Sequence, residues 1–190
     1  VDKVFLMVVR GALIRRVDIL MVVLVVVVVP TAILAVAAAA AVILAVLEDI
    51  KTDLMPALGG LETDLLAKSK QFWPIIKTGR THLQDATPIR LGQVFLGFAG
   101  QMKNGVRRLV RAEQALAEVP LGGTAVGTGV NTHPEFATRT CRLLSEMTGV
   151  HIQETGNHFQ AQASLDALVE ASGVLKTVAI SLHKITNDIR

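Results

Sequence analysis

The 190-residue chain has no tyrosine, one tryptophan (Trp73) and one cysteine (Cys141). A lone cysteine excludes an internal disulfide framework and a cysteine-rich zinc site. Its setting, Thr140-Cys141-Arg142-Leu143-Leu144, reads as helical, and a half-buried structural thiol is the expectation there rather than a nucleophile. Aromatics are scarce, and so are the stacking platforms that single-strand nucleic-acid binders need. The net charge of +3 comes from 19 basic and 16 acidic residues mixed along the chain, so no nucleic-acid footprint is present. Strand-length alternation of apolar and polar residues is also missing. With 51% hydrophobic residues and only 18% charged, the chain is not of the disordered class, and it is long enough for one domain with a proper core.

Charge is nearly absent from residues 1–47, which carry only Asp2, Lys3, Arg10, Arg15, Arg16 and Asp18. The run from Ile19 to Leu47 is interrupted only by Pro30 and Thr31, and it includes five valines from Val25 and five alanines from Ala37. Its length suffices to cross a bilayer, with Arg15 and Arg16 on the cytoplasmic flank. It is equally the text of a helix buried on all sides in a large assembly. A signal peptide and low-complexity text are further readings, although the run is long for a signal peptide's apolar core.

From Glu48 the sequence becomes helical. Leu54, Leu58, Leu61 and Leu65 recur at helical spacing, and Lys68 and Lys70 close that helix before Pro74. Thr87 and Pro88 read as N-cap and first residue of a second helix. That helix carries Leu91, Phe95, Phe98 and Met102 on one side and runs towards Glu118. Lys103, Arg107, Arg108 and Arg111 read as its solvated face. Leu121 to Thr132 holds four glycines and three threonines. Two readings apply: backbone N–H groups gathered for an anion, or a strained helix-to-helix connection. It is neither a P-loop nor a dinucleotide fingerprint. Asn131 to Pro134 restarts a helix with Glu135 in its first turn, Gly149 to Gly156 breaks it, and Phe159 to Arg190 reads as one long helix. His133, His151, His158 and His183 are scattered without metal-ligand spacing, and His133 reads as a helix-start residue. The fold class expected is all-α, a long antiparallel helix bundle with short polar connections.

One polar segment, Gly79-Arg80-Thr81-His82-Leu83-Gln84-Asp85-Ala86, concentrates chemistry between two such helices. Arg80 is able to hold a carboxylate, and His82 supplies an imidazole, a set suited to proton chemistry on a small anion. The alternative is a polar loop that caps the next helix.

Residues 75–190 resemble class II fumarase, of the fumarase/aspartase superfamily. The resemblance rests on four ordered stretches: Gly79 to Pro88, the glycine-rich Gly122 to Thr132, Asp166-Ala167-Leu168-Val169-Glu170, and Lys184 to Arg190. Aspartases usually place glutamine where this chain has His82, which favours hydration over ammonia addition. Gln160 and Leu165 depart from the usual Glu and His. Leu24 to Val29 stand before Pro30-Thr31-Ala32, where the family has a Ser-Ser-Asn-Asp segment.

The resemblance implies fumarate hydratase activity, the reversible addition of water to fumarate to give (S)-malate, with no metal or organic cofactor. It assigns His82 the acid/base role and Thr81 a contact to the substrate carboxylate, while Arg80 and Asp85 hold the loop. It further implies a homotetramer whose sites draw on three subunits. The apolar run would then be buried in the shared core rather than in a membrane. With no clear targeting segment visible, the cytoplasm is the expected compartment, with the mitochondrial matrix as the other option. The domains expected are the apolar segment 1–47 and a central helical-bundle domain 48–190 that ends before the family's mobile catalytic loop. A catalytically incomplete structural subunit or fragment and an aspartase-type ammonia lyase are the alternatives.

Overall fold

The structure, a computed structural model, describes residues 42–190. Pro30-Thr31-Ala32 and most of the apolar run, with its membrane-span, buried-helix and signal-peptide readings, lie outside the described residues. The chain divides into two compact units, Val1–Glu48 and Asp49–Arg190. Residues 42–48 of the first are helical.

The second unit is built mainly of helices. A π-helical turn at Ile50–Leu54 runs without a break into α1 (Met55–Gln71), with Pro56 just after the junction. The strands β1 (Ile76–Thr81) and β2 (Gln84–Arg90) form an antiparallel hairpin. Then come α2 (Leu91–Ala117) and the two-residue β3 (Glu118–Val119). A long connection precedes α3 (Phe136–Thr148). The two-residue β4 (Gln153–Glu154) pairs parallel to β3, and α4 (His158–Ala163) and α5 (Asp166–Ile189) close the chain. Among the described residues no helix is long and apolar enough to cross a membrane.

Helix α2 is the axis of the bundle. Its buried residues Phe98, Met102, Gly105, Leu109, Ala112 and Leu116 alternate spacings of four and three, the seam pattern of long packed helices. A Cβ added at Gly105 would come within van der Waals contact of both Leu58 of α1 and Val178 of α5, so the glycine faces both helices. Further along, Ser69 of α1 bonds to Gly92, and Lys184 of α5 lies over the Phe98 ring. Contacts that run in opposite chain directions make α1 and α5 both antiparallel to α2. Residues Ala171, Val178 and Ile185 of α5, spaced by seven, are the ones buried. The expected antiparallel helix bundle is the observed architecture.

Four local expectations are corrected. The segment around His82 is a hairpin, not a loop between helices. Thr87 and Pro88 belong to β2, and the helix starts at Leu91 with Arg90 as N-cap. The Gln93 side chain accepts from the Arg90 backbone N–H at 2.8 Å, closing that helix start. The final helix is interrupted: Ser164 and Leu165 separate α4 from α5, and the Ser164 hydroxyl accepts from the Asp166 N–H at 3.2 Å. The helix restart after the glycine-rich connection falls at Phe136, with Glu135 as N-cap. The His133 ring Nδ1 accepts from the Glu135 N–H at 3.2 Å, a helix-start role as expected.

Candidate active site on the hairpin tip

The hairpin stands on the junction of α1 and α2. The Leu91 N–H donates to Ile75 O at 2.9 Å and the Gly92 N–H to Phe72 O at 3.2 Å. The buried Ser69 hydroxyl donates to Gly92 O at 2.7 Å. The Arg90 guanidinium donates to Trp73 O at 3.0 Å and lies over the Trp73 ring. Two helices and a cation–π contact therefore fix where the strands emerge.

Along the strands the pairing runs from Ile76↔Arg90 to Thr81↔Gln84, with a bulge between Thr78 and Arg80. Gly79 occupies the bulge, buried in an otherwise exposed ribbon. A Cβ there would sit 2.5 Å from Thr87 O, so the two backbones approach too closely for any side chain. Above the bulge Arg80 Nε donates to Asp85 Oδ1 at 3.2 Å, a cross-strand ion pair. These two residues brace the tip, the holding role expected of them, and are spent on each other.

The tip itself is the two-residue turn His82-Leu83. Both residues have left-handed backbones, φ 53° and 60°. This matches the twist of the strands, but such turns normally use Asn-Gly. A left-handed backbone costs an ordinary residue about 1–2 kcal/mol. Leu83 is also 95% exposed. Its side chain recovers none of that cost by burial within the chain, although fully burying a leucine is worth about 1.5–3 kcal/mol. Thr81 and His82 are exposed, and neither side chain forms a hydrogen bond or ion pair among the described residues. The turn thus holds a hydroxyl and an imidazole on a braced support with their polar atoms free. Neither side chain is enclosed by the described residues around it.

The glycine-rich connection is a separate, self-contained structure. The N–H groups of Gly127 and Gly129 both donate to Gly123 O, at 3.0 and 3.1 Å. The reading as an anion cradle is corrected for these two, because their donors are consumed internally. Helix α4 clamps the connection from outside. His158 Nε2–H donates to Leu121 O at 2.9 Å, and the Gln162 amide donates to Thr124 O at 2.9 Å. The Phe159 ring approaches Gly127, whose φ is +91° and whose Cβ would stand 2.8 Å from it. Glu118 accepts from the Thr155 hydroxyl at 2.6 Å and from the Gly156 N–H at 3.3 Å, fixing the β3–β4 end of the same region. Sequence reasoning missed this clamp, since its residues come more than 30 positions after the loop they hold.

Of the other expected features, Cys141 is buried on α3, and burial followed by the nearby Glu154 charge pushes its thiol above the ordinary value. Arg107, Arg108 and Arg111 are exposed on α2 beside Asn104, whose side chain accepts from Arg107 at 3.4 Å. Among the described residues no cluster of His, Cys, Asp or Glu is arranged to hold a metal ion.

Comparison with known proteins identifies the family. The family described as "Lyase" matches residues 37–190, a range that contains the hairpin, the glycine-rich connection and α5. The chain belongs to this lyase family. Its resemblance to class II fumarases is borne out. It is 50% identical over 147 residues to "Fumarate hydratase class II" of Nitrosomonas europaea, covering 77% of this chain and 32% of that protein. It is 48% identical to "Fumarate hydratase, mitochondrial" of Saccharomyces cerevisiae, covering 77% and 30%. Among solved structures, a fumarate lyase:delta crystallin from Brucella melitensis superposes with a TM-score of 0.72 at 40% identity, covering 79% of this lyase-family chain and 32% of that one. A class II fumarase from Schistosoma mansoni gives 0.69 at 30% identity, covering 77% and 34%. The chain spans about a third of the length of the curated relatives it matches.

Proposed function

We propose that the intact protein is a fumarate hydratase, a hydro-lyase that adds water reversibly across the double bond of fumarate to give (S)-malate. The observation that carries this reading is the identity to proteins named fumarate hydratase over a stretch whose family match includes the Thr81-His82 hairpin.

In this reading His82 is the acid/base group. In hydration its imidazole takes a proton from the attacking water, the oxygen bonds to one alkene carbon, and a proton from another group reaches the neighbouring carbon. In the reverse direction the imidazolium returns its proton to the departing hydroxide. An imidazole suits this task because it titrates near the working pH. The Thr81 hydroxyl donates to a substrate carboxylate, whose charge grows as the adjacent carbon becomes anionic. No metal or organic cofactor takes part in this scheme. The exposed tip needs enclosure, and a homotetramer in which three subunits contribute to each site supplies it. Residues 48–190 act as the central helical-bundle domain, residues 1–47 as a distinct apolar segment, and the enzyme works in the cytoplasm.

The test is His82→Asn in the intact protein. The expected result is a loss of hydration turnover of about 10²-fold or more with the assembly unchanged. Turnover equal to the parent would refute the role given to His82.

A further inference from the structure

The tip of the hairpin contains a residue whose presence the fold does not explain. The turn geometry at position 83 favours glycine or asparagine, and the chain has leucine with φ 60°. Its side chain is 95% exposed, so packing within the chain does not select it. A strained backbone conformation persists where a function holds it in place. The other residue of the turn is His82, also left-handed at φ 53°. Rotation about the backbone of either residue redirects the imidazole, because the two share one turn. Below them the Gly79 bulge leaves no room for a side chain, and the strands are tied to the α1–α2 junction by backbone hydrogen bonds. The turn is the adjustable joint between a rigid support and the imidazole.

We propose that Leu83 is a positioning residue for His82: its side chain is an apolar anchor that seats the hairpin tip in the assembled site and so fixes the direction of the imidazole. This rests on the fumarate hydratase reading and adds to it a second, non-titrating determinant of turnover. The anchor's seat is apolar and comes from the rest of the assembly, because the described residues offer Leu83 none. Anchoring buries the leucine and offsets the strain of its backbone, and the turn is held in one conformation only when the site is complete.

Three variants of the intact protein test this. Leu83→Asn and Leu83→Gly suit the left-handed backbone but remove the anchor. Leu83→Met keeps an apolar side chain of similar volume. For Asn and Gly the expected result is a thermal midpoint close to the parent's, because the lost burial (about 1.5–3 kcal/mol) and the relieved backbone strain (about 1–2 kcal/mol) nearly offset, and a kcat at least about tenfold lower, the scale on which a displaced catalytic group loses rate. KM should stay close to the parent's, since Thr81 still meets the carboxylate. The pH at which kcat reaches half its maximum should move, because the imidazole sits in altered surroundings. Leu83→Met should restore most of the parental kcat. Full kcat in Leu83→Asn overturns the proposal. So does a loss of kcat that both Asn and Gly variants share with an equal loss of thermal stability, since that assigns Leu83 to folding. Equal loss in the Met variant overturns the apolar seat. His82→Asn, assayed beside them, separates the two ideas: if it retains turnover, the enzymatic reading fails first, and if it alone loses turnover, only the role of Leu83 fails.

Discussion

Gly92→Ala probes the support beneath the hairpin. A Cβ at this position would lie 2.4 Å from Ser69 O and 2.9 Å from Trp73 Cα. Both are backbone atoms, so no rotamer change relieves the clash. Ordinary contact begins at 3.4 Å, so α1 and α2 must separate there by about 1 Å. The Ser69 Oγ–Gly92 O bond, 2.7 Å in the parent, then exceeds hydrogen-bonding range. Overpacking of this kind costs about 1–3 kcal/mol, and losing a buried neutral hydrogen bond about 1 kcal/mol more. Replacing a helical glycine by alanine returns up to about 1 kcal/mol. The net destabilisation is about 2 kcal/mol, which lowers the thermal midpoint by about 4–8 °C for a domain of this size. The same displacement tilts the hairpin, and misplacing a catalytic group by about 1 Å costs about 10²-fold in turnover. Gly97→Ala, further along the same helix, is the control, because nothing lies within 4 Å of its Cβ. Urea and thermal unfolding of both variants, with steady-state hydration kinetics, provide the readout. A Gly92→Ala protein as stable and as active as the parent would refute the reasoning.

Two other expectations concern charge. Arg80 and Asp85 are each more than 70% exposed, so their coupling in a double-mutant cycle should be about 0.2–1 kcal/mol and should shrink in molar salt. Cys141 has a thiol raised above its ordinary value of 9.0 by burial and then by Glu154. The folded state therefore favours the protonated thiol. Its contribution to stability is complete below pH 9.0 and is lost as pH rises through the higher folded value. Urea midpoints at about pH 7 and about pH 10 should show a steeper alkaline loss for the parent than for Cys141→Ala.

The helices were legible in the sequence because their buried residues recur regularly: Leu58 and Leu65 on α1, and the four-three pattern from Phe98 on α2. The polar segment around His82 stood out as a candidate site by its residue types, while the roles proposed for Thr81 and His82 come from the family resemblance. The hairpin that carries them was not legible. Its strands, IKTGRT and QDATPIR, are exposed on both faces apart from Gly79 and the half-covered Ile89, so they need no apolar alternation. Thr87-Pro88 also imitates a helix start, and proline is tolerated in β2 because a two-stranded ribbon has only edges. The turn lacked the Asn-Gly signal that marks such hairpins, and the residues replacing it are the ones of functional interest. The break between α4 and α5 was hidden for another reason. Leu165 is the N-cap of the second helix, and the Ser164 hydroxyl just before it accepts from the Asp166 N–H, while the run around them keeps a helical composition.

The clamp of α4 on the glycine-rich connection bears on how the protein emerges from the ribosome. His158 and Gln162 follow the carbonyls they hold by 37 and 38 residues. At about 5–20 residues per second, the connection waits roughly 2–8 s for its clamp. Through that interval a segment with four glycines has no clamp to settle it. Helix α3, which lies between the two in sequence, is made before the connection is locked. The order of synthesis therefore completes the bundle's own helix α2 first and fastens this region only when α4 arrives.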